Sequence, residues 1–376
     1  MRRRAIRIGL LVAAWVAAVA VIWRGPENSI IKGPCLQNVQ PDQATIVWET
    51  RWEEPGTVEF GPTPDLGRTI EDAAPVRIHK VTLTGLAPKT TYHYRVPTGR
   101  EPAATEAFTT AFVGEGPFSF AVYGDSRSNP EVHGQVVRLI QSWRPDFVLH
   151  TGDLTSGWGY SAWGRDFFRP AAPLIATTCL WPAQGNHDLQ GNFYFDFFAL
   201  PKPERWYTFR WGNARFFALD TNALWPYPEE QQGWLDAELA RDPATWTIVF
   251  LHAPPYSGGT HGGDALIREL LVPIFEKRHV DLVFAGHDHI YERTVPLRAG
   301  ERDERNGVTY VVTGGGGAPL YRFTPESCTA SGASCYHACL VKMNGSDLHF
   351  EARDTTGMLL DTFDLRKGTS RDATPE

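Results

Sequence analysis

Five short segments carry side chains that bind metal ions: Gly124-Asp125, Gly152-Asp153, Gly185-Asn186-His187-Asp188, Leu251-His252 and Gly286-His287-Asp288-His289. Asp125, Asp153, Asn186, His252, His287 and His289 together form a mixed nitrogen and oxygen set. Such a set suits zinc, iron or manganese better than calcium. It is large enough for two ions. A carboxylate has two oxygens, so one aspartate can bridge a pair. Two ions roughly 3.5–4 Å apart hold a hydroxide and clamp the attacking and leaving oxygens of an in-line displacement. Each residue alone has a plainer reading. An aspartate after glycine is usually a turn residue or a helix cap, and a histidine at a strand end is usually a satisfied core side chain. Only their conjunction points to metal chemistry.

The elements that must position these groups are readable around them. Phe118–Tyr123 is an apolar strand running into Gly124-Asp125, and 146–151 runs into Gly152-Asp153. Strands at 214–219, 246–251 and 281–285 continue the pattern, the last two ending at His252 and at Gly286-His287. Asn129-Pro130 reads as a cap and first turn of a helix reaching Trp143, and a second helix is expected over about 264–277. Strand ends on one edge of an open sheet converge on a single crevice, and a glycine before the polar residue allows the sharp turn. From Ile30 to Ala111 the texture differs. Short alternating strands at 44–48, 56–60 and 80–83, separated by turn residues, suggest a β-sandwich. His79 and His93 are expected on its strand surfaces. After 307 the chain reads as hairpin-like strands; the only low-complexity stretch is Gly314–Gly317. The organisation expected is a leader over 1–24, a sandwich over 30–112 and a catalytic domain over 115–367.

Arg2, Arg3, Arg4 and Arg7 precede an uncharged run from Ile8 to Trp23, the pattern of an export signal or a membrane anchor. The run is short beside the ~20 apolar residues of a bilayer span, and Ala18-Val19-Ala20 offers a cleavage site, so both readings stand. Either places the rest of the chain outside the cytoplasm: secreted, periplasmic or at the cell surface. The formal net charge is −7, and every charged residue up to Arg24 is basic, so the remainder is more acidic still. That excludes a broad nucleic-acid-binding surface, and an anionic substrate must be drawn in locally by metal ions or a few cations. Of the five cysteines, Cys328, Cys335 and Cys339 cluster, and a local disulfide among them is expected outside the cytoplasm; a zinc site including His337 is the runner-up. Cys35 and Cys179 lie apart, and pairing is not readable from spacing.

The five motifs in this order resemble the calcineurin-like metallophosphoesterases and, within them, the purple acid phosphatases. The stretches His252-Ala253-Pro254-Pro255-Tyr256-Ser257-Gly258-Gly259-Thr260-His261-Gly262 and Gly286-His287-Asp288-His289-Ile290-Tyr291-Glu292-Arg293 are similar to those enzymes beyond the ligands. The sandwich-like module ahead of them is shared too, and Leu86 to Val96 resembles the tyrosine corner of fibronectin type III modules, with Tyr92 as its tyrosine. The resemblance covers about 30–367. It implies a four-layer α/β/β/α catalytic domain after the β-sandwich and a pair of ions, iron, zinc or manganese. By the same likeness Asp125 and His289 bind the first ion, Asn186, His252 and His287 the second, and Asp153 bridges them. His187 protonates the leaving alkoxide, oriented by Asp188, while Arg127 and His261 hold the phosphoryl group of a small phosphate ester.

Two positions depart from the family. The tyrosine expected three residues after Asp153 is Ser156, so the purple charge-transfer colour is not expected. The histidine common two residues after the first aspartate is Arg127, which stays protonated and cannot ligate; it suits bidentate phosphate contact or a salt bridge at the loop. Tyr160, His133 or water are the candidates for the first ion's fourth ligand. His150, inside a strand, reads as structural. The function expected is an exported phosphatase acting on monoesters through a hydroxide held between the ions. A phosphodiesterase on the same site and a non-catalytic surface binding protein are the alternatives.

Overall fold

The computed structural model describes residues 29–98, 103–157, 159–224 and 228–368; the leader expected over 1–24 lies outside them. Among the described residues no helix is long and apolar enough to cross a membrane.

The first part is built around one long strand, Gln43–Gly61. Its N-terminal half pairs with Ile30–Gln37 on one side and with the end of Arg68–Thr84 on the other. Register shifts between Glu49 and Gly56 bend it, and its C-terminal half pairs with the start of Arg68–Thr84 and with Thr91–Arg95. The separate short strands expected at 44–48 and 56–60 are therefore two halves of one strand. Irregular register of this kind lets a strand turn between layers. Tyr92 is buried, and its hydroxyl accepts the Ala87 N–H at 3.0 Å, five residues upstream. His79 is not at the surface: it is fully buried and its ring lies 4.6 Å from Trp48, stacked at 12°. An alternating strand has one inward face, and His79 falls on it, over Gly56, where an added Cβ would meet its ring at 2.6 Å.

The second part packs two mixed sheets face to face. One has the strands Leu359–Arg366, Asp347–Asp354, His337–Asn344, Phe118–Tyr123, Phe147–His150 and Cys179–Pro182 in that spatial order. The other has Thr329–Ala333, Tyr291–Thr294, Thr309–Thr313, Leu282–Ala285, Trp246–Phe250, Ala214–Ala218 and Tyr207–Trp211. In the first sheet the three strands from Phe118–Tyr123 to the Cys179–Pro182 edge are parallel, in the second the four from Thr309–Thr313 to Ala214–Ala218 are, and these strands read as continuous apolar runs because both of their faces are covered. Between the sheets, Phe120 meets Phe216 edge-on at 5.2 Å and Phe284 at 6.3 Å.

Helices cover the outer faces. Pro130–Trp143 is capped by Asn129, whose side chain accepts the Val132 N–H, and buries His133, Val136, Val137 and Ile140 at helical spacing. On the other side Ile267, Leu271 and Phe275 pack on Val249 and Val283. Full burial of each such side chain contributes about 1.5–3 kcal/mol. The single helix expected over 264–277 is two, Ala265–Leu270 and Val272–Lys277, because Pro273 has no N–H to continue the ladder. The result is an α/β/β/α arrangement behind a β-sandwich.

The expected local disulfide is not formed. Cys328, Cys335 and Cys339 are all free thiols, as are Cys35 and Cys179. Cys339 points inward from its strand towards Thr313, away from any partner. Nor do these residues gather as a zinc set among the described residues: the His337 nitrogens lie 3.0 Å from the Cys335 carbonyl and 3.1 Å from the Thr313 hydroxyl.

Candidate metal centre

The parallel strands Phe118–Tyr123, Phe147–His150, Trp246–Phe250 and Leu282–Ala285 bring their C-terminal ends to one edge. Asp125, Asp153 and His287 each sit in the left-handed backbone region, with φ of 56°, 57° and 69°. That conformation costs about 1–2 kcal/mol for a residue with a Cβ and persists where the surroundings demand it. Two glycines are required by close approach. A Cβ on Gly185 would lie 2.1 Å from the Asp153 nitrogen, and one on Gly286 would lie 2.4 Å from Asp125 Oδ2.

The six expected ligands meet. One donor atom each of Asp125, Asp153 and His252 lie within 4.8 Å of one another. At the second position, His252 Nδ1–H donates to the Thr151 carbonyl at 2.9 Å, which leaves the Nε2 lone pair facing inward. Nε2 is 2.9 Å from Asn186 Oδ1, 3.4 Å from Asp153 Oδ1 and 3.2 Å from His287 Nδ1. Burial, then the neighbouring His252 and His261, push the His287 pKa down to about 3, so its ring is neutral. A cluster of acceptors turned on one another is what a cation would relieve. A histidine whose other ring nitrogen donates to a carbonyl is also the usual arrangement of a metal ligand.

At the first position, Asp125 Oδ2 accepts the His287 N–H at 2.9 Å, while Oδ1 is buried with no hydrogen-bond partner. It faces His289 Nε2 at 3.5 Å, and His289 Nδ1 donates to the Pro319 carbonyl at 2.6 Å. Burial lowers the His289 pKa, but Asp125 and the Pro319 carbonyl outweigh it and the pKa is raised. The orphaned carboxylate oxygen fits an ion here too. The surroundings differ from the second position, however. Arg127 Nε donates to Asp153 Oδ2 at 3.1 Å, and Arg127 Nη2 lies 3.5 Å from His289 Nε2. The guanidinium thus stands on two of the three acceptors. Neither side chain expected as a fourth ligand is available. The Tyr160 hydroxyl donates to Glu49, with Lys32 over its ring. His133 is buried between the Tyr123 hydroxyl and the Asp166 carbonyl, at 3.2 and 2.8 Å. Ser156, in the place of the tyrosine, receives Arg165 Nη2 on its hydroxyl at 3.1 Å.

His187 stands at the rim. Its Nδ1 is 3.3 Å from the Ser156 carbonyl and its Nε2 is 3.9 Å from Asp153 Oδ2. Asp188 is fully buried and does not orient the imidazole. Its carboxylate accepts the N–H groups of Gly185 and Asp153, each at 2.9 Å, and of Thr155 at 3.2 Å. Burial and the adjacent Asp153 push its pKa up while those three bonds oppose the shift. Asp188 thus fixes the Asp153 loop to the Asn186 loop. His150, read as structural, accepts the Gly152 N–H on Nδ1 and faces the Ser126 hydroxyl with Nε2.

His261 is exposed, its ring 4.4 Å from His287 and its N–H bonded to Asp288 Oδ1 at 2.9 Å. Two features escaped the motifs. The Tyr321 ring stacks on His289 at 4.0 Å and meets His261 edge-on at 5.3 Å. The run Gly314–Gly317 lies directly against the Asp125 loop, where the Gly316 N–H donates to the Gly124 carbonyl at 2.9 Å; that glycine run was the available signal for both. A cavity of about 700 Å³ lined by Phe118, Trp143, Met343 and Leu348 opens at the opposite end of the Phe118–Tyr123 strand.

Comparison with known proteins agrees with this architecture. Residues 118–291 match the calcineurin-like phosphoesterase family and residues 34–110 match the purple acid phosphatase N-terminal domain. The chain is 30% identical over 263 residues to probable inactive purple acid phosphatase 27 of Arabidopsis thaliana, covering 58% of this chain and 43% of that one. It is 28% identical over 302 residues to acid phosphatase type 7 of Mus musculus, covering 69% of each. Across three similar Arabidopsis proteins, each named probable inactive, the aligned region spans 43–63% of their length. The structure of purple acid phosphatase PPD1 from yellow lupin has the same fold, with a TM-score of 0.79, 21% identity and coverage of 89% and 74% of the two chains.

Proposed function

With residues 118–291 as a calcineurin-like phosphoesterase domain carried behind a purple acid phosphatase N-terminal domain, we propose that this chain hydrolyses small phosphate monoesters in a metal-dependent reaction. The observation that carries the reading is the meeting of Asp153 with both halves of the ligand set: Oδ1 faces His252 and Oδ2 faces the side of Arg127 and His289. When bound, the metal supplies a Lewis acid for the phosphoryl oxygens and lowers the pKa of water so that a nucleophile exists near neutral pH.

The remaining work falls to the chain. Asp125, Asp153 and His289 serve the first position, and Asn186, His252 and His287 the second. Arg127 has five N–H donors and uses three of them, on Asp153, His289 and Ser128; the other two are free to take phosphoryl oxygens. His261, on the exposed side of His287, completes the clamp. His187 holds its Nδ1 on a backbone carbonyl, so Nε2 is the atom that delivers a proton to the leaving alkoxide. Asp188 acts as a positioning residue. The sandwich over 30–112 and the catalytic domain over 115–367 are assigned on the same reading, and the basic then apolar start before residue 25 supports export.

A non-catalytic reading has one observation behind it, the relatives named probable inactive. His187 and the fully buried Asp153 favour catalysis, since a binding protein needs neither an acid at the rim nor a strained carboxylate between two ligand sets. The test is hydrolysis of p-nitrophenyl phosphate and bis(p-nitrophenyl) phosphate by the metal-loaded full chain. Faster turnover of the monoester is expected, with loss of both activities in Asp153→Asn. Preference for the diester would move the assignment to a phosphodiesterase, and turnover unchanged in Asp153→Asn would remove the metal mechanism.

A further inference from the structure

We propose that this is a centre with one tight metal ion, held at the second position by Asp153, Asn186, His252 and His287, and that the Arg127 guanidinium supplies the positive charge at the first position. The proposal rests on the reading of the site as a metal-dependent phosphoesterase and concerns how many ions the chain holds firmly.

The two positions differ in what completes them. At the second, Asp153 Oδ1, Asn186 Oδ1 and His252 Nε2 are all turned on one another, with His287 Nδ1 3.2 Å from His252 Nε2. Among the described contacts no cationic side chain reaches these atoms. Four ligand atoms from protein are a complete set for a zinc-like ion. At the first position there are three: Asp125 Oδ1, His289 Nε2 and Asp153 Oδ2. Arg127 is already bonded to Asp153 Oδ2 at 3.1 Å and is 3.5 Å from His289 Nε2. His289 Nε2 can accept from it, because the other ring nitrogen donates to Pro319.

Among the described residues no fourth protein ligand stands ready. Ser156 is held by Arg165, Tyr160 by Glu49, and His133 by Tyr123 and Asp166. Charge points the same way. Two divalent ions beside a guanidinium would set at least five positive charges against the two facing carboxylates, Asp125 and Asp153. One ion with Arg127 sets three against two and leaves a modest excess for an anionic phosphoryl group. Arg127 therefore stands where an imidazole or a phenolate would complete the first ion's shell, and it competes with that ion for Asp153 and His289.

Zinc(II) is the probe, and the count of retained metal is the readout. The apo full chain is loaded with excess zinc, passed through gel filtration and analysed by plasma mass spectrometry. Wild type retains about one zinc per chain, the number set by one complete tetrahedral shell. Arg127→His removes the competing charge and adds an imidazole, and its content rises to about two. Asp125→Asn removes the carboxylate from the first position while its amide oxygen can still accept the His287 N–H, and it keeps its one zinc, whereas His252→Ala loses it. Two tightly held ions in wild type, or loss of the single ion in Asp125→Asn, overturns the inference and leaves the metallohydrolase reading standing. No retained zinc in wild type or in Arg127→His overturns both.

Discussion

Replacing Asp188 with asparagine separates two roles for a residue that neighbours His187, the proposed general acid. Its Oδ2 accepts the N–H groups of Gly185 and Asp153 and its Oδ1 accepts that of Thr155. Asparagine placed with its oxygen on Oδ2 keeps two of these bonds and turns an NH₂ donor against the Thr155 N–H. One buried donor is then unsatisfied, which costs about 1–3 kcal/mol. The Asp153 N–H bond ties the Asp153 loop to the Asn186 loop, so movement here also spreads the proposed ligands. Asp188→Asn is therefore expected to lower unfolding stability by that amount and to weaken zinc retention. Turnover should fall for good and poor leaving groups alike. Urea unfolding followed by tryptophan fluorescence, with metal analysis, measures both. Unchanged stability and metal content, with a loss confined to poor leaving groups, would refute the positioning role and return Asp188 to an effect on the His187 imidazole.

His187→Ala is expected to slow alkyl phosphates by about 10²–10⁴-fold and p-nitrophenyl phosphate far less, because nitrophenolate leaves without a proton; equal losses would remove the acid role. Glu49→Gln strips the charge that faces Lys32 at 2.5 Å, Arg77 at 2.8 Å and the Tyr160 hydroxyl. Lys32 remains buried and unpaired, so stability should drop by about 3–5 kcal/mol, and a change below about 1 kcal/mol in urea unfolding would contradict this. Burial holds His133 and His337 neutral, with pKa pushed down to about 4 from 6.5. Between those values the unfolded chain binds protons that the folded chain rejects. Their contribution is complete above about pH 6.5 and is lost as pH falls towards 4, by up to about 3 kcal/mol each. A urea midpoint independent of pH from 7.5 to 4.5 would rule that out.

The candidate ligands were readable because each follows an apolar strand and most follow a glycine, a local pattern that survives in one dimension. The helix at Asn129-Pro130 was readable for the same reason, its cap and first turn being adjacent in the chain. What escaped depends on neighbours far along the sequence. His79 lies on the inward face of its strand because the register with Gln43–Gly61 sets it opposite Trp48, whose ring stacks on it. Asp188 is next to His187 in sequence, yet three backbone N–H groups from two loops claim its carboxylate. Tyr160 and His133 had the right chemistry for a first-position ligand, but Glu49 and Asp166 reach them first. Cys339 is close to Cys335 in sequence, but strand pairing turns its thiol into the core. Arg127 was seen as a departure from a pattern; its position on Asp153 and His289 gave that departure a physical meaning.

The most direct test of the account is anomalous diffraction from crystals of the full chain soaked in zinc. The account predicts a peak bounded by Asp153 Oδ1, Asn186 Oδ1, His252 Nε2 and His287 Nδ1, stronger than any peak beside Asp125. Absence of a peak at those four atoms, with Asn186 and His252 turned away from one another, would contradict it.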